Sequence, residues 1–196
     1  MGKNYFMNDP LPEGSRPAML VAGHSWAEGT FKGYEAEIGS ALGMDVERRT
    51  KVGSGIDYAA SETGKADGNY RCAVLFTGIN DYWRPAKDIN QRFDSLIDAA
   101  LAKTSGHIYV VNVPYYDAAG KGKIDDINSH LKSRAEKDPR IIYVDLNAEL
   151  NSKKHPEYLS ANLHPGNYKG VREFLIMEIN KNENSLAASK QQKAAR

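Results

Sequence analysis

Short apolar runs alternate with amphipathic stretches along this chain, and that alternation constrains its fold more than any single residue does. Ala18-Met19-Leu20-Val21-Ala22 is apolar throughout and bounded by Pro17 and Gly23, as a strand covered on both faces has to be. Cys72 to Thr77, Ile108 to Val113 and Ile141 to Val144 read the same way, each ending at a glycine, proline or polar turn residue. Met44 to Thr50 is interrupted by Glu47, Arg48 and Arg49, which places it at or near the sheet edge, where charged side chains reach water. Between the runs, Tyr34, Ile38 and Leu42 recur at four-residue spacing, and Ile89, Phe93, Leu96, Ile97, Ala100 and Leu101 form one apolar stripe. Ile124, Ile127 and Leu131, then Val171, Phe174, Leu175 and Ile179, supply two further helices. Strands alternating with helices predict a parallel sheet between two helix layers: a three-layer α/β/α domain, five strands in the flavodoxin-like order 2-1-3-4-5, joined by right-handed crossovers.

The 196 residues fit one domain with a single core, and the pattern sets its bounds. Residues 1–17 form an N-terminal extension, 18–182 the domain, and 183–196 a tail rich in Asn, Lys, Ser, Gln and Ala, expected to be mobile for want of anything to bury. With 26 Lys+Arg against 25 Asp+Glu, binding of nucleic acid through a basic face is not indicated. No stretch approaches the ~20 apolar residues of a membrane span. Met1 to Pro17 lacks the pattern of a secretory signal, so the expected location is cytoplasmic, or secreted if a signal has been removed. Cys72 is the single cysteine. It rules out an internal disulfide framework and a multi-cysteine zinc site, and its apolar surroundings suggest inert core packing. The five histidines show no ligand pair at helical spacing, so neither a metal nor another cofactor is expected. The charge balance points to no protein partner and leaves the oligomeric state open.

In an open parallel sheet ligands bind at the carboxyl ends of the strands, which directs attention to the turns that follow the apolar runs. The first leads into Gly23-His24-Ser25-Trp26-Ala27-Glu28-Gly29, the second into Val52-Gly53-Ser54-Gly55-Ile56-Asp57, the third into Thr77-Gly78-Ile79-Asn80-Asp81, and Asn162-Leu163-His164-Pro165 precedes the last helix. Together they bring a hydroxyl, glycine amides, a side-chain amide and an imidazole to one rim. Those are the parts of an acyl-transfer site: a nucleophile, a general base, and donors aimed at a developing oxyanion.

Here the sequence resembles the SGNH, or GDSL-type, hydrolases over about residues 18 to 175. Gly78-Ile79-Asn80-Asp81 is similar to the family's G-x-N-D block, and His164-Pro165 to its histidine block. The resemblance implies a serine esterase with no cofactor, in which Ser25 is the nucleophile and His164 its base. Gly55, the Ser25 amide and the Asn80 side chain would form the oxyanion hole, Gly55 being preferred to Gly53. It further implies small-molecule or carbohydrate esters as substrates, with short loops favouring short-chain or O-acetyl groups. His24, Trp26, Tyr82 and Trp83 adjoin these turns and are candidates to line the substrate pocket, although half-buried packing is nearly as good a reading for the aromatics. His155-Pro156 competes with His164-Pro165, but an apolar helical stripe follows only the latter.

Two departures stand out. The first block is Gly23-His24-Ser25 where the family has Gly-Asp-Ser, and position 161, where the family places an aspartate to hold the histidine, is alanine. Asn162 is the nearest polar residue and could accept the imidazole proton through its amide oxygen. Asp145, Glu149, Glu157 or a backbone carbonyl could also stand in. Two rival readings keep the fold. One is a catalytically attenuated carbohydrate-binding or structural relative; the other is a flavodoxin-like nucleotide or flavin module, which Gly23 to Gly29 supports poorly because it offers no phosphate cradle.

Overall fold

The computed structural model describes residues 17–115, 119–150 and 164–194, with side chains placed as far as residue 184 along the last helix. Asn162, Ala161, His155, Glu157 and Tyr116 lie outside the described residues, as does the N-terminal extension up to residue 16.

Five parallel strands form one sheet: β1 (Ala18–Gly23), β2 (Asp45–Thr50), β3 (Cys72–Phe76), β4 (Ile108–Val111) and β5 (Ile141–Val144), in the order β2-β1-β3-β4-β5. Seven helices connect and follow them among the described residues: α1 (Ser25–Phe31), α2 (Glu35–Leu42), α3 (Ile56–Lys65), α4 (Ala86–Lys103), α5 (Lys121–Lys137), α6 (Leu146–Leu150) and α7 (Tyr168–Ala194). Because side chains alternate along a strand, the apolar runs feed two cores at once. Leu20, Ala22, Ala73, Leu75, Ile108 and Val110 pack under α3, α4 and α5. Met19, Val21, Val74, Phe76, Tyr109 and Val111 pack under α1, α2, α6 and α7. Each large apolar side chain so enclosed contributes about 1.5–3 kcal/mol, which is why the inner strands carry no charge.

The edge position of β2 follows from its charges. Arg48 reaches Glu35 (2.9 Å) and Glu28 (2.8 Å), Thr50 also hydrogen-bonds Glu28, and Arg49 pairs with Glu47 (2.7 Å). These pairs sit on the rim of the sheet, where partial exposure makes the charges cheap to keep, and they leave the edge unattractive to another strand. Cys72 is buried, its Sγ 3.7 Å from Met44 Sδ, and burial pushes its thiol pKa up.

The segment expected to be a mobile tail begins differently from that expectation. α7 continues unbroken to Ala194, and Glu183 is 5% exposed. Its carboxylate accepts from Arg71 Nε (2.8 Å), His107 Nδ1 (2.9 Å) and the Tyr109 hydroxyl (3.1 Å). A charged residue after the last apolar stripe reads as tail in the sequence; here three donors at the amino ends of β3 and β4 give it a reason to stay in.

Among the described residues no helix is long and apolar enough to cross a membrane.

Candidate active site

Strand order reverses between β1 and β3, and the turns leaving those two strands open side by side. Their closeness depends on Gly23: a Cβ there would lie 2.1 Å from Phe76 O and 2.9 Å from Ala27 Cβ. His24 N then donates to Phe76 O (3.2 Å), and the chain turns at once into α1.

His24 is the residue that caps α1. Its backbone is extended and its Nδ1 accepts from Trp26 N (3.1 Å), satisfying an amide that the helix itself cannot. The cap role that a serine in this position commonly fills is therefore taken, and Ser25 stands one residue inside the helix, 8% exposed. His24 has no exposed surface, which removes it from the substrate pocket where it was expected to sit. Burial, and behind it the charge of His164, press its pKa down to about 3. It is thus neutral at pH 7, and because Nδ1 accepts, its proton is on Nε2. Trp26 is also withdrawn from solvent, 4% exposed, with its ring edge-on to Phe76 (5.7 Å between centroids) and to Tyr168 (6.4 Å). It serves as core, whatever small edge it shows.

The turn after β3 needs Gly78, whose φ of +109° suits glycine and where a Cβ would meet Phe93 and Val113 at 2.7 and 2.8 Å. A 3₁₀ turn, Ile79–Asp81, follows and carries Asn80 at its centre. Asn80 Nδ2 donates to Ser54 O (2.9 Å). An amide nitrogen has two hydrogens, so this bond fixes the side chain and leaves one donor to use. Asp81 is buried and works structurally, as its neighbours in sequence suggest: it accepts from Ile56 N (2.9 Å) at the start of α3 and lies against Gly55, where a Cβ would be 2.7 Å from Oδ1. Burial raises its pKa, in part offset by the Ile56 amide and by Arg84. Lys51 N donates to Gly23 O (3.1 Å) and Ser54 N to Lys51 O (3.2 Å), tying the Lys51-to-Gly55 loop to the end of β1. Gly55 itself is the cap residue of α3.

The rim beyond Asn80 is aromatic and well anchored. Trp83 is 65% exposed and Tyr82 37%. The Arg84 guanidinium stacks on Trp83 at 4.2 Å and pairs with Asp81 (3.4 Å), while Lys123 Nζ donates to Tyr82 O (2.9 Å) and Arg84 O (3.2 Å). Of the four residues expected to line a pocket, these two are the ones that face solvent.

His164 is exposed and precedes α7, which docks on α1. The docking is specific: the Tyr168 ring occupies the space over Gly29, where a Cβ would be 2.5 to 2.7 Å from three ring carbons. Arg172 is buried, donates to Thr30 O (3.2 Å) and stacks over Tyr34 (3.5 Å). His164 Nδ1 lies 2.8 Å from the Tyr168 hydroxyl. Asp145, one of the acids that sequence offered as a partner, is instead committed to Asn112 Nδ2 (2.8 Å) and Ala148 N (3.0 Å). Tyr168 was not singled out by the sequence; its only signal is the spacing of four from His164.

No family profile matches this chain, and no curated protein does. Its structure does match solved ones. A Bacteroides fragilis protein assigned as an acylhydrolase superposes with a TM-score of 0.70 at 17% identity, covering 88% of this chain and 90% of that one. A lipolytic protein of the G-D-S-L family from Veillonella parvula gives 0.65 at 17% identity, over 80% and 93%. The C-terminal catalytic domain of peptidoglycan O-acetyltransferase A from Streptococcus pneumoniae, bearing a methylsulfonyl adduct, gives 0.61 at 20%, over 87% and 94%. At such identities the shared property is the fold: this chain has the three-layer α/β/α fold of the SGNH, or GDSL, hydrolases.

Proposed function

We propose that this protein is a serine-dependent hydrolase of small carboxylic esters, working through an acyl-enzyme. The observation that carries the reading is the division of labour at the head of α1, where His24 caps the helix and leaves the Ser25 hydroxyl without that duty. In this reading His164 Nε2 takes the Ser25 proton as Ser25 Oγ attacks the ester carbonyl. The tetrahedral oxyanion is held by the Ser25 amide, the Gly55 amide and the second hydrogen of Asn80 Nδ2. Collapse expels the alcohol, protonated by His164, and water repeats the sequence to release the acid and free Ser25. No cofactor enters any step. The short connections among the described residues, with Trp83 exposed and braced by Arg84 on the rim, support short acyl groups, including O-acetyl groups on carbohydrate, over long lipid chains.

Hydrolysis of p-nitrophenyl acetate and butyrate by the wild type, Ser25→Ala and His164→Ala proteins tests the reading. Activity on acetate that both substitutions abolish is the expected result. Equal rates for wild type and both variants would instead favour a binding protein on the same fold.

A further inference from the structure

The His164 imidazole has to be held with Nε2 unprotonated if it is to accept a proton from Ser25, and in serine acyl-transfer sites a third group commonly fixes that tautomer by accepting the Nδ1 proton. Position 161 is alanine here. We infer that Tyr168 is the positioning residue of this site: its hydroxyl oxygen accepts the Nδ1 proton of His164 and holds the ring in the tautomer that leaves Nε2 free. The inference rests on the hydrolase reading of Ser25 and His164.

Three observations support it. The two atoms are 2.8 Å apart, a hydrogen-bond distance for either direction of donation. The phenol is held on several sides, by Gly29, whose missing Cβ makes room for the ring, by the edge of Trp26, and by its place in the first turn of α7. Gly29 and Trp26 belong to the same helix as Ser25, so Tyr168, the hydrogen-bond partner of His164, is seated directly on the helix that carries the nucleophile of the proposed reaction. Third, burial pushes the Tyr168 phenol up to about 12, which keeps it neutral across the working range of an esterase. A neutral phenol orients the imidazole through an oxygen lone pair, and its own proton remains on the oxygen throughout. It supplies less stabilisation to an imidazolium than a carboxylate does, because it brings no charge.

Tyr168 is a neighbour of the reaction and not a participant, so its test needs a readout that a merely structural role would not move. Nitrogen-15 labelling of the histidines provides one. Above the imidazole titration, wild-type His164 is expected to carry its proton on Nδ1, and His24, whose Nδ1 accepts from Trp26 N, to carry its proton on Nε2, so the two rings serve as opposite references in one spectrum. In Tyr168→Phe the His164 signal is expected to move to the Nε2-protonated form with His24 unchanged. On p-nitrophenyl acetate the same variant should lose about 10- to 100-fold in kcat with KM little altered, less than the ~10⁴ that follows loss of a triad carboxylate. Gly29→Ala, which keeps the phenol but displaces the ring, should reproduce both effects in a protein that still folds. A wild-type His164 already protonated on Nε2, or a Tyr168→Phe protein matching wild type in tautomer and kcat, would overturn the inference. Activity that survives Ser25→Ala would remove the hydrolase reading, and the tautomer of His164 would still decide what Tyr168 does.

Discussion

Removing the Glu183 carboxylate should destabilise the whole domain, although it lies at the end of the sheet opposite the Ser25 rim. Its side chain is 6% exposed and accepts three hydrogen bonds, from Arg71, His107 and Tyr109. Breaking a buried pair by deleting one partner costs roughly 3–5 kcal/mol. The Arg71 side chain is 36% exposed and can recover water, so the lower end, about 3 kcal/mol, applies to Glu183→Ala. For a chain of this length that corresponds to a fall of roughly 6–12 °C in Tm. The dependence on pH has a definite sign. Burial alone would raise the pKa of Glu183, but the bonds and charges of His107 and Arg71 outweigh it and hold the group below the ordinary glutamate value of 4.5. Its stabilisation is therefore complete above about pH 4.5 and is lost as pH falls through the depressed value. Thermal unfolding followed by circular dichroism should show wild type and Glu183→Gln furthest apart near neutral pH and converging in acid, as pH falls through the depressed value of Glu183. A Tm for Glu183→Ala within about 2 °C of wild type, or a gap that widens in acid, would refute the reasoning.

Two further substitutions separate the scaffold of the site from its chemistry. Gly78→Ala meets both a left-handed backbone and contacts at 2.7 and 2.8 Å with Phe93 and Val113, and should cost about 2–4 kcal/mol in urea unfolding, with a lower midpoint and unchanged slope. Asn80→Ala should lower kcat on p-nitrophenyl acetate by about 10²- to 10³-fold, as loss of one oxyanion donor does, while moving the unfolding midpoint by little.

Much of the fold was legible because inner strands of a parallel sheet are buried on both faces and therefore cannot hide their composition. Cys72 to Phe76 and Ile108 to Val111 contain nothing polar enough to mislead, apart from a tyrosine whose hydroxyl finds Glu183. The same logic put β2 at the edge, since Glu47, Arg48 and Arg49 have no place in the middle. Helix α3 was the least visible element because it packs with Ala59 and Thr63, small side chains that make a faint stripe. Ser25 and Asn80 were singled out by a different route, the resemblance of their turns to the family's blocks, and the structure puts the first at the head of α1 and the second in the 3₁₀ turn after β3. His24 was misplaced because a histidine at a helix cap is uncommon, and its exclusion from solvent depends on how tightly β1 and β3 close at Gly23. Tyr168 left only the faint signal of its spacing from His164, because its ring is seated by the docking of α7 on Gly29, a contact between segments well over a hundred residues apart.

Labelling by a serine-directed fluorophosphonate, located by peptide mass spectrometry, is the most direct test of whether Ser25 is an activated nucleophile. A single adduct on Ser25, slowed sharply in His164→Ala and missing from Ser25→Ala, is the predicted result. Absence of any adduct on the folded protein, or an adduct that persists when Ser25 is replaced, would contradict the assignment of this fold to serine ester chemistry.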